Sequence, residues 1–172
     1  MDPRHYEWHH PVHGCVFILV YVDDVTVAGE SFAGVAAIKS GVSAKFEVRD
    51  MGEVKEFIGT KVMRGKRAKK RTLSNPGHIM ALLQAFGMDT CTPNKTDMAS
   101  AIKLSKTGKN LLPDGNRSAA LVGSLLYLSA TTRPDISYPV GVLSRFMSCP
   151  EQDHLRAAKG ELRYFAGLLA LT

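Results

Sequence analysis

Residues Cys15–Val22 read CVFILVYV, eight apolar residues in a row, and Asp23-Asp24 then interrupts a pattern that Val25–Ala28 resumes. β-Branched and aromatic side chains dominate the run, which favours a buried strand over a helix segment. The simplest path for such a chain is a β-hairpin with the two aspartates at its turn. That turn is an awkward one. A two-residue type I′ connection needs positive φ at both positions, which Asn-Gly or Asp-Gly satisfies and Asp-Asp does not. Neighbouring carboxylates also repel. A solvated turn is the plain explanation for the pair, since Asp is a common turn residue; two carboxylates at the tip of an apolar hairpin also suit a site for divalent cations, which take carboxylate oxygens.

Downstream, Ser31 is placed to cap a helix on which Val35, Ile38, Val42 and Phe46 keep helical spacing, until Gly52 breaks the chain. Phe57–Met63 and Arg71–Leu73 read as two strands joined by the basic loop Arg64–Lys70. From about Ser74 the character changes to helical. Pro76 fits a first turn, with Ile79, Leu82, Leu83 and Phe86 on one face and Gly87 at the end. Residues 88–117 are a long polar connection with Pro93, Gly108, Pro113 and Gly115. Ala119–Leu128 reads as a short apolar helix. Thr132–Asp135 and Ser148–Glu151 have capping-box spacing, and Pro139 should kink or delay the helix it falls in. Behind the second box, Leu155, Ala158, Leu162, Phe165 and Leu169 step by three and four, the clearest amphipathic helix in the chain. Strands first and helices second make the class α+β.

The chain's 172 residues fit one domain or two small ones, and 45% apolar with 22% charged residues excludes wholesale disorder. No apolar run approaches the roughly 20 residues of a membrane helix, and the start MDPRHYEW lacks a secretory h-region. Cys15, Cys91 and Cys149 are too few and too scattered for a disulfide framework or a zinc knuckle. The net charge is +6, and eleven basic against four acidic residues lie between Lys39 and Arg71. Such a stripe suits a polyanion, nucleic acid before an anionic membrane surface; a solvated basic surface is the alternative.

Tyr21-Val22-Asp23-Asp24 within FILVYVDDVTVAG (17–29) resembles the catalytic hairpin of a reverse transcriptase palm, specifically that of copia-type long-terminal-repeat retrotransposon Pol polyproteins. The similarity continues in Asp50-Met51-Gly52, in Phe57-Ile58-Gly59, in LSNPGHIMALLQAFGM (73–88), in GSLLYLSATTRPDISYPVGVLSRFMSCP (123–150), and in His154, Lys159 and LRYF (162–165). The resemblance implies a partial palm with its antiparallel hairpin over 1–74, a thumb and polar connection over 75–117, and a helical connection region over 118–172. It implies RNA-directed DNA synthesis by two-metal nucleotidyl transfer, with Asp23 and Asp24 as catalytic residues and Mg²⁺ ligands. Tyr21 and Val22 then lie near the primer terminus, and Phe57, Ile58 and Gly59 form the primer grip. The implied partners are an RNA/DNA template–primer duplex, a dNTP, and fingers, RNase H and integrase domains elsewhere in the polyprotein; the implied location is intracellular, in cytoplasmic particles or the nucleus.

A complete palm needs a third carboxylate on an earlier strand, and only Asp2 and Glu7 precede the hairpin. The expectation is therefore a fragment that does not polymerise alone; a non-catalytic basic nucleic-acid-binding remnant is the rival reading. Arg64, Lys66, Arg67, Lys69, Lys70 and Arg71 are candidate phosphate contacts, with an import signal or a solvated hairpin tip as alternatives. His9 and His13 have a metal-pair spacing on a helix, but Pro11 stands between them. The hairpin is expected to be two-stranded and short of sheet neighbours.

Overall fold

The computed structural model describes residues 4–65, 70–96, 104–105 and 110–169. The chain divides into two compact units, Met1–Val54 and Lys55–Thr172.

In the first unit the apolar run becomes β2 (Gly14–Tyr21), paired antiparallel with β3 (Asp24–Gly29). The hairpin is not alone, contrary to the two-stranded expectation. His5–His10 forms β1, which pairs with β2 from His5↔Leu19 to His10↔Gly14 and makes a three-stranded meander. The segment HYEWHH hides its strand from a hydropathy reading, because all six of its residues are polar or ring-bearing and only Trp8 and His10 are even half-buried. Directly paired residues share a sheet face. One face carries Val16, Ile18, Val20 and Val27 and is covered by α1 (Phe32–Ser43). Ser31 caps that helix as expected, its Oγ accepting from the Gly34 N–H at 3.1 Å. Gly34 is needed there, since a Cβ would come within 3.0 Å of the Val16 Cγ2. The other face, with Phe17, Leu19 and Tyr21, is exposed. Beyond α1, Asp50 accepts from the Gly52 N–H at 2.9 Å and pairs with Lys39 at 2.9 Å, which fixes the Asp50-Met51-Gly52 turn. Both contacts hold the Asp50 carboxyl below its ordinary pKa, the Gly52 hydrogen bond first.

The second unit opens with a small sheet, β4 (Glu56–Phe57), β5 (Thr60–Arg64) and β6 (Arg71–Ser74). The single strand expected over Phe57–Met63 is broken: Phe57 pairs with Thr60, and Ile58-Gly59 is a two-residue turn with φ of 49° and 71°. Positive φ at both central positions is the type I′ pattern. Ile is a poor residue for it, so a reading by residue type carries the strand straight through.

Helices follow: α2 (Pro76–Ala85), α3 (Gly115–Thr131), α4 (Ser137–Ser144) and α5 (Gln152–Leu169). They enclose one core of Ile79, Leu82, Leu83, Leu121, Leu125, Leu128, Ile136, Val140, Leu143, Leu162 and Phe165. α3 is longer than the apolar stretch Ala119–Leu128 because Asp114 caps it, accepting from the Asn116 N–H at 3.0 Å. Neither expected capping box forms. Thr132 ends α3 instead of starting a helix, and Asp135 is taken by Arg133. At α5 the His154 ring accepts from the Glu151 N–H at 2.9 Å, in place of a Ser148 hydroxyl. Pro139 sits in the first turn of α4, where its missing N–H costs nothing, so it delays the helix without kinking it.

Arg133 ties these helices together. Its guanidinium lies 4.9 Å over the Phe165 ring and donates from Nε to Asp135 at 2.9 Å, and the Tyr164 hydroxyl donates to the same carboxylate at 2.9 Å. The Arg133 hydrogen bond, with help from Tyr164, holds the Asp135 carboxyl below its ordinary pKa. A lowered folded-state pKa adds stability that is present above the unfolded value of about 3.9 and is lost as pH falls through the folded one. Asp135→Asn should therefore cost about 1 kcal/mol at neutral pH, a figure trimmed for the carboxylate's partial exposure. Urea denaturation of parent and variant should show the gap closing as pH falls below the unfolded value of about 3.9. A gap that persists there would mean the carboxylate's charge is not the source.

Candidate catalytic hairpin and primer-contacting turn

The turn between β2 and β3 is Val22-Asp23, closed by the Tyr21↔Asp24 pair. Only one aspartate is thus in the turn itself; Asp24 is the first residue of β3 and lies on the exposed sheet face with Tyr21, Leu19 and Phe17. Val22 has φ of +52° while Asp23 does not share it, the pattern of a type II′ turn, whose first central position is usually Gly. A β-branched residue in this region stores on the order of 1–3 kcal/mol. Val22 is 81% exposed, so core packing does not account for it.

Asp23 and Asp24 are both exposed, and neither carboxylate has a hydrogen-bond or ion-pair partner among the described residues. Their oxygens are available as hard-cation ligands. A third ligand is not at hand: among the described residues no group of three His, Cys, Asp or Glu could hold a metal ion. Glu7 pairs with Phe17, four β2 residues back from Tyr21, which places it about 13 Å along the strand from the turn. It contacts His9 at 3.3 Å instead. His9 and His13 do not form a helical pair, because His9 is in β1; His13 stacks on His10 at 4.5 Å, and the His10 Nδ1 accepts from the Val12 and His13 amides.

The second group of candidate residues lies in the other unit. Phe57 is half-buried, Ile58 is 40% exposed and Gly59 is at the surface. The strands beyond carry Arg64 directly opposite Arg71, and Lys70 is exposed beside them. Lys66, Arg67 and Lys69 lie outside the described residues.

Residues 10–100, a stretch that contains the Val22-Asp23 turn, match the family model for reverse transcriptase (RNA-dependent DNA polymerase). The chain belongs to the reverse transcriptase family. Its relatives identify it further as a segment of a copia-type Pol polyprotein. Over 88% of its length it is 40% identical to the retrovirus-related Pol polyprotein from transposon RE1 of Arabidopsis thaliana. It is 35% identical, over the same share, to that from transposon TNT 1-94 of Nicotiana tabacum. It is 33% identical to a transposon Ty5-1 protein of Saccharomyces cerevisiae, of which it spans 49%. The chain spans only 10% and 12% of the two plant polyproteins. No solved structure gives a significant match. Among the described residues no helix is long and apolar enough to cross a membrane.

Two features of this reverse transcriptase segment escaped the sequence reading. One is β1. The other is the pair Asn75 and Tyr127, which fasten the Ile58-Gly59 turn. A Tyr inside the apolar run LLYLSA is a signal, since a Tyr hydroxyl in such a setting needs a partner; which partner it takes is set by the tertiary fold alone.

Proposed function

We propose that this segment supplies the aspartate hairpin and the primer-contacting turn of a copia-type RNA-directed DNA polymerase, acting on an RNA/DNA template–primer and a dNTP. The observation that carries the proposal is the Val22-Asp23 turn with Asp24 beside it, inside the stretch that matches the family model. Asp23 and Asp24 fit Mg²⁺ in kind, as exposed carboxylates with uncommitted oxygens. When bound there, Mg²⁺ would supply charge stabilisation for phosphoryl transfer to a 3′-hydroxyl. The hairpin's contribution is placement: consecutive residues on a short turn keep the two carboxylates together, and the exposed face carrying Tyr21, Leu19 and Phe17 is free to lie along a primer strand. We assign 1–74 to the palm, 75–117 to the thumb and its connection, and 118–172 to the helical region beyond. Two carboxylates do not complete a two-metal site, so incorporation needs an acid from another strand; without it the segment binds nucleic acid and does no chemistry.

Binding is tested through the basic loop. Contacts to phosphate release counterions, so log K should fall with log salt by about 0.9 per phosphate neutralised. Replacing Lys66, Arg67, Lys69 and Lys70 with Ala should weaken binding to an RNA–DNA hybrid equally across sequences and flatten the slope. An unchanged affinity and slope would leave the loop as a solvated tip or an import signal.

A further inference from the structure

The geometry points to Tyr127 of α3 as the positioning residue that sets the Ile58-Gly59 turn for its contact with a primer terminus, acting together with Asn75; this rests on the proposed role of that turn. Ile58 and Gly59 both have positive φ, and for the β-branched Ile58 that conformation is unfavourable. A strained turn persists only where its surroundings over-determine it. Here the surroundings are two side chains from distant parts of the unit. The Tyr127 hydroxyl donates to the Ile58 carbonyl at 2.7 Å, and the Asn75 Nδ2 donates to the Gly59 carbonyl at 2.8 Å. Asn75 also reaches the Thr60 Oγ1 at 3.1 Å and the Tyr127 hydroxyl at 3.3 Å, so the two clamps are joined.

Asn75 is the N-cap residue of α2, where an Asn side chain ordinarily accepts from the helix's first amides; it makes no such bond and is 2% exposed. Its Oδ1 is buried without a hydrogen-bond partner among the described residues, and every bond the side chain makes runs from Nδ2 to the turn, to Thr60 and to Tyr127. Gly59, for its part, lies against the Tyr127 hydroxyl, and its φ of 71° is what favours glycine there. The clamps hold both turn carbonyls, and Ile58 and Gly59 remain exposed residues. A primer end meeting that turn would find its shape fixed beforehand, which lowers the ordering cost of binding.

Tyr127→Phe tests this on the full chain, because it removes only the hydroxyl and keeps the ring, including its edge contact with His78. The probe is a fluorescent RNA–DNA hybrid with either a recessed 3′ end or a blunt end. The parent should prefer the recessed end, and Tyr127→Phe should lose most of that preference while keeping its affinity for the blunt hybrid and a cooperative melt. Amide exchange at Gly59 and Thr60 should quicken by about tenfold, the response expected of lost local protection. Phe57→Ala is the control for the underlying role. A parent preference that Phe57→Ala abolishes and Tyr127→Phe retains overturns the assignment of Tyr127 alone. A parent with no preference for the recessed end overturns the primer-contact role and this inference with it.

Discussion

Replacing Phe165 with alanine should lower the stability of the 55–172 unit by about 3–5 kcal/mol, the largest effect expected of any single truncation in the chain. Phe165 is fully buried on α5 and belongs to the one core that α2, α3, α4 and α5 share. Its loss removes the transfer energy of the ring and leaves a cavity that surrounding helices fill only in part. It also takes away the surface on which the Arg133 guanidinium lies, and Arg133 is what holds Asp135 and, through it, Tyr164. A domain whose whole stability is about 5–15 kcal/mol loses about a fifth or more in such a step. Phe165→Leu keeps most of the volume and should cost under about 1.5 kcal/mol. Urea denaturation followed by circular dichroism reads both. A loss below about 1 kcal/mol for the alanine variant would mean that the core is far looser than the packing around Phe165 shows.

The parts of the fold that were legible in the sequence are those in which burial and local chemistry point the same way. β2 is an uninterrupted apolar run; α5 keeps its apolar stripe through Ala158, Leu162 and Phe165; Ser31 caps α1 through its own hydroxyl. The missed parts are those in which tertiary contact overrules residue type. β1 is held by its ladder to β2, and its polar composition gives no strand signal. Ile58 enters a left-handed turn that two remote side chains hold in place. Asp135 and Ser148 have capping spacing, but Arg133 takes the first and His154 does the capping that the second was expected to do. At the candidate site the residue types and their order were readable, while the division of the aspartates between turn and strand was not. That division depends on the unfavourable φ of Val22, which no propensity argument selects.

The second large effect concerns the aspartates themselves. Each of Asp23→Asn and Asp24→Asn removes one charge from a site whose only described ligands are these two carboxylates, so each should weaken divalent-cation binding by at least about tenfold. Neither side chain is buried, and neither is bonded among the described residues, so stability should hardly change and a loss of binding cannot be put down to unfolding. Titrating the chain with Mn²⁺ while recording amide NMR spectra puts the central claim to the most direct test, because the paramagnetic ion broadens only the signals near it. The account predicts broadening centred on Tyr21 to Val25, competed by Mg²⁺ and lost in both variants. Broadening centred instead on His9, His10 and His13, or unchanged in the variants, or absent from the turn, would contradict it.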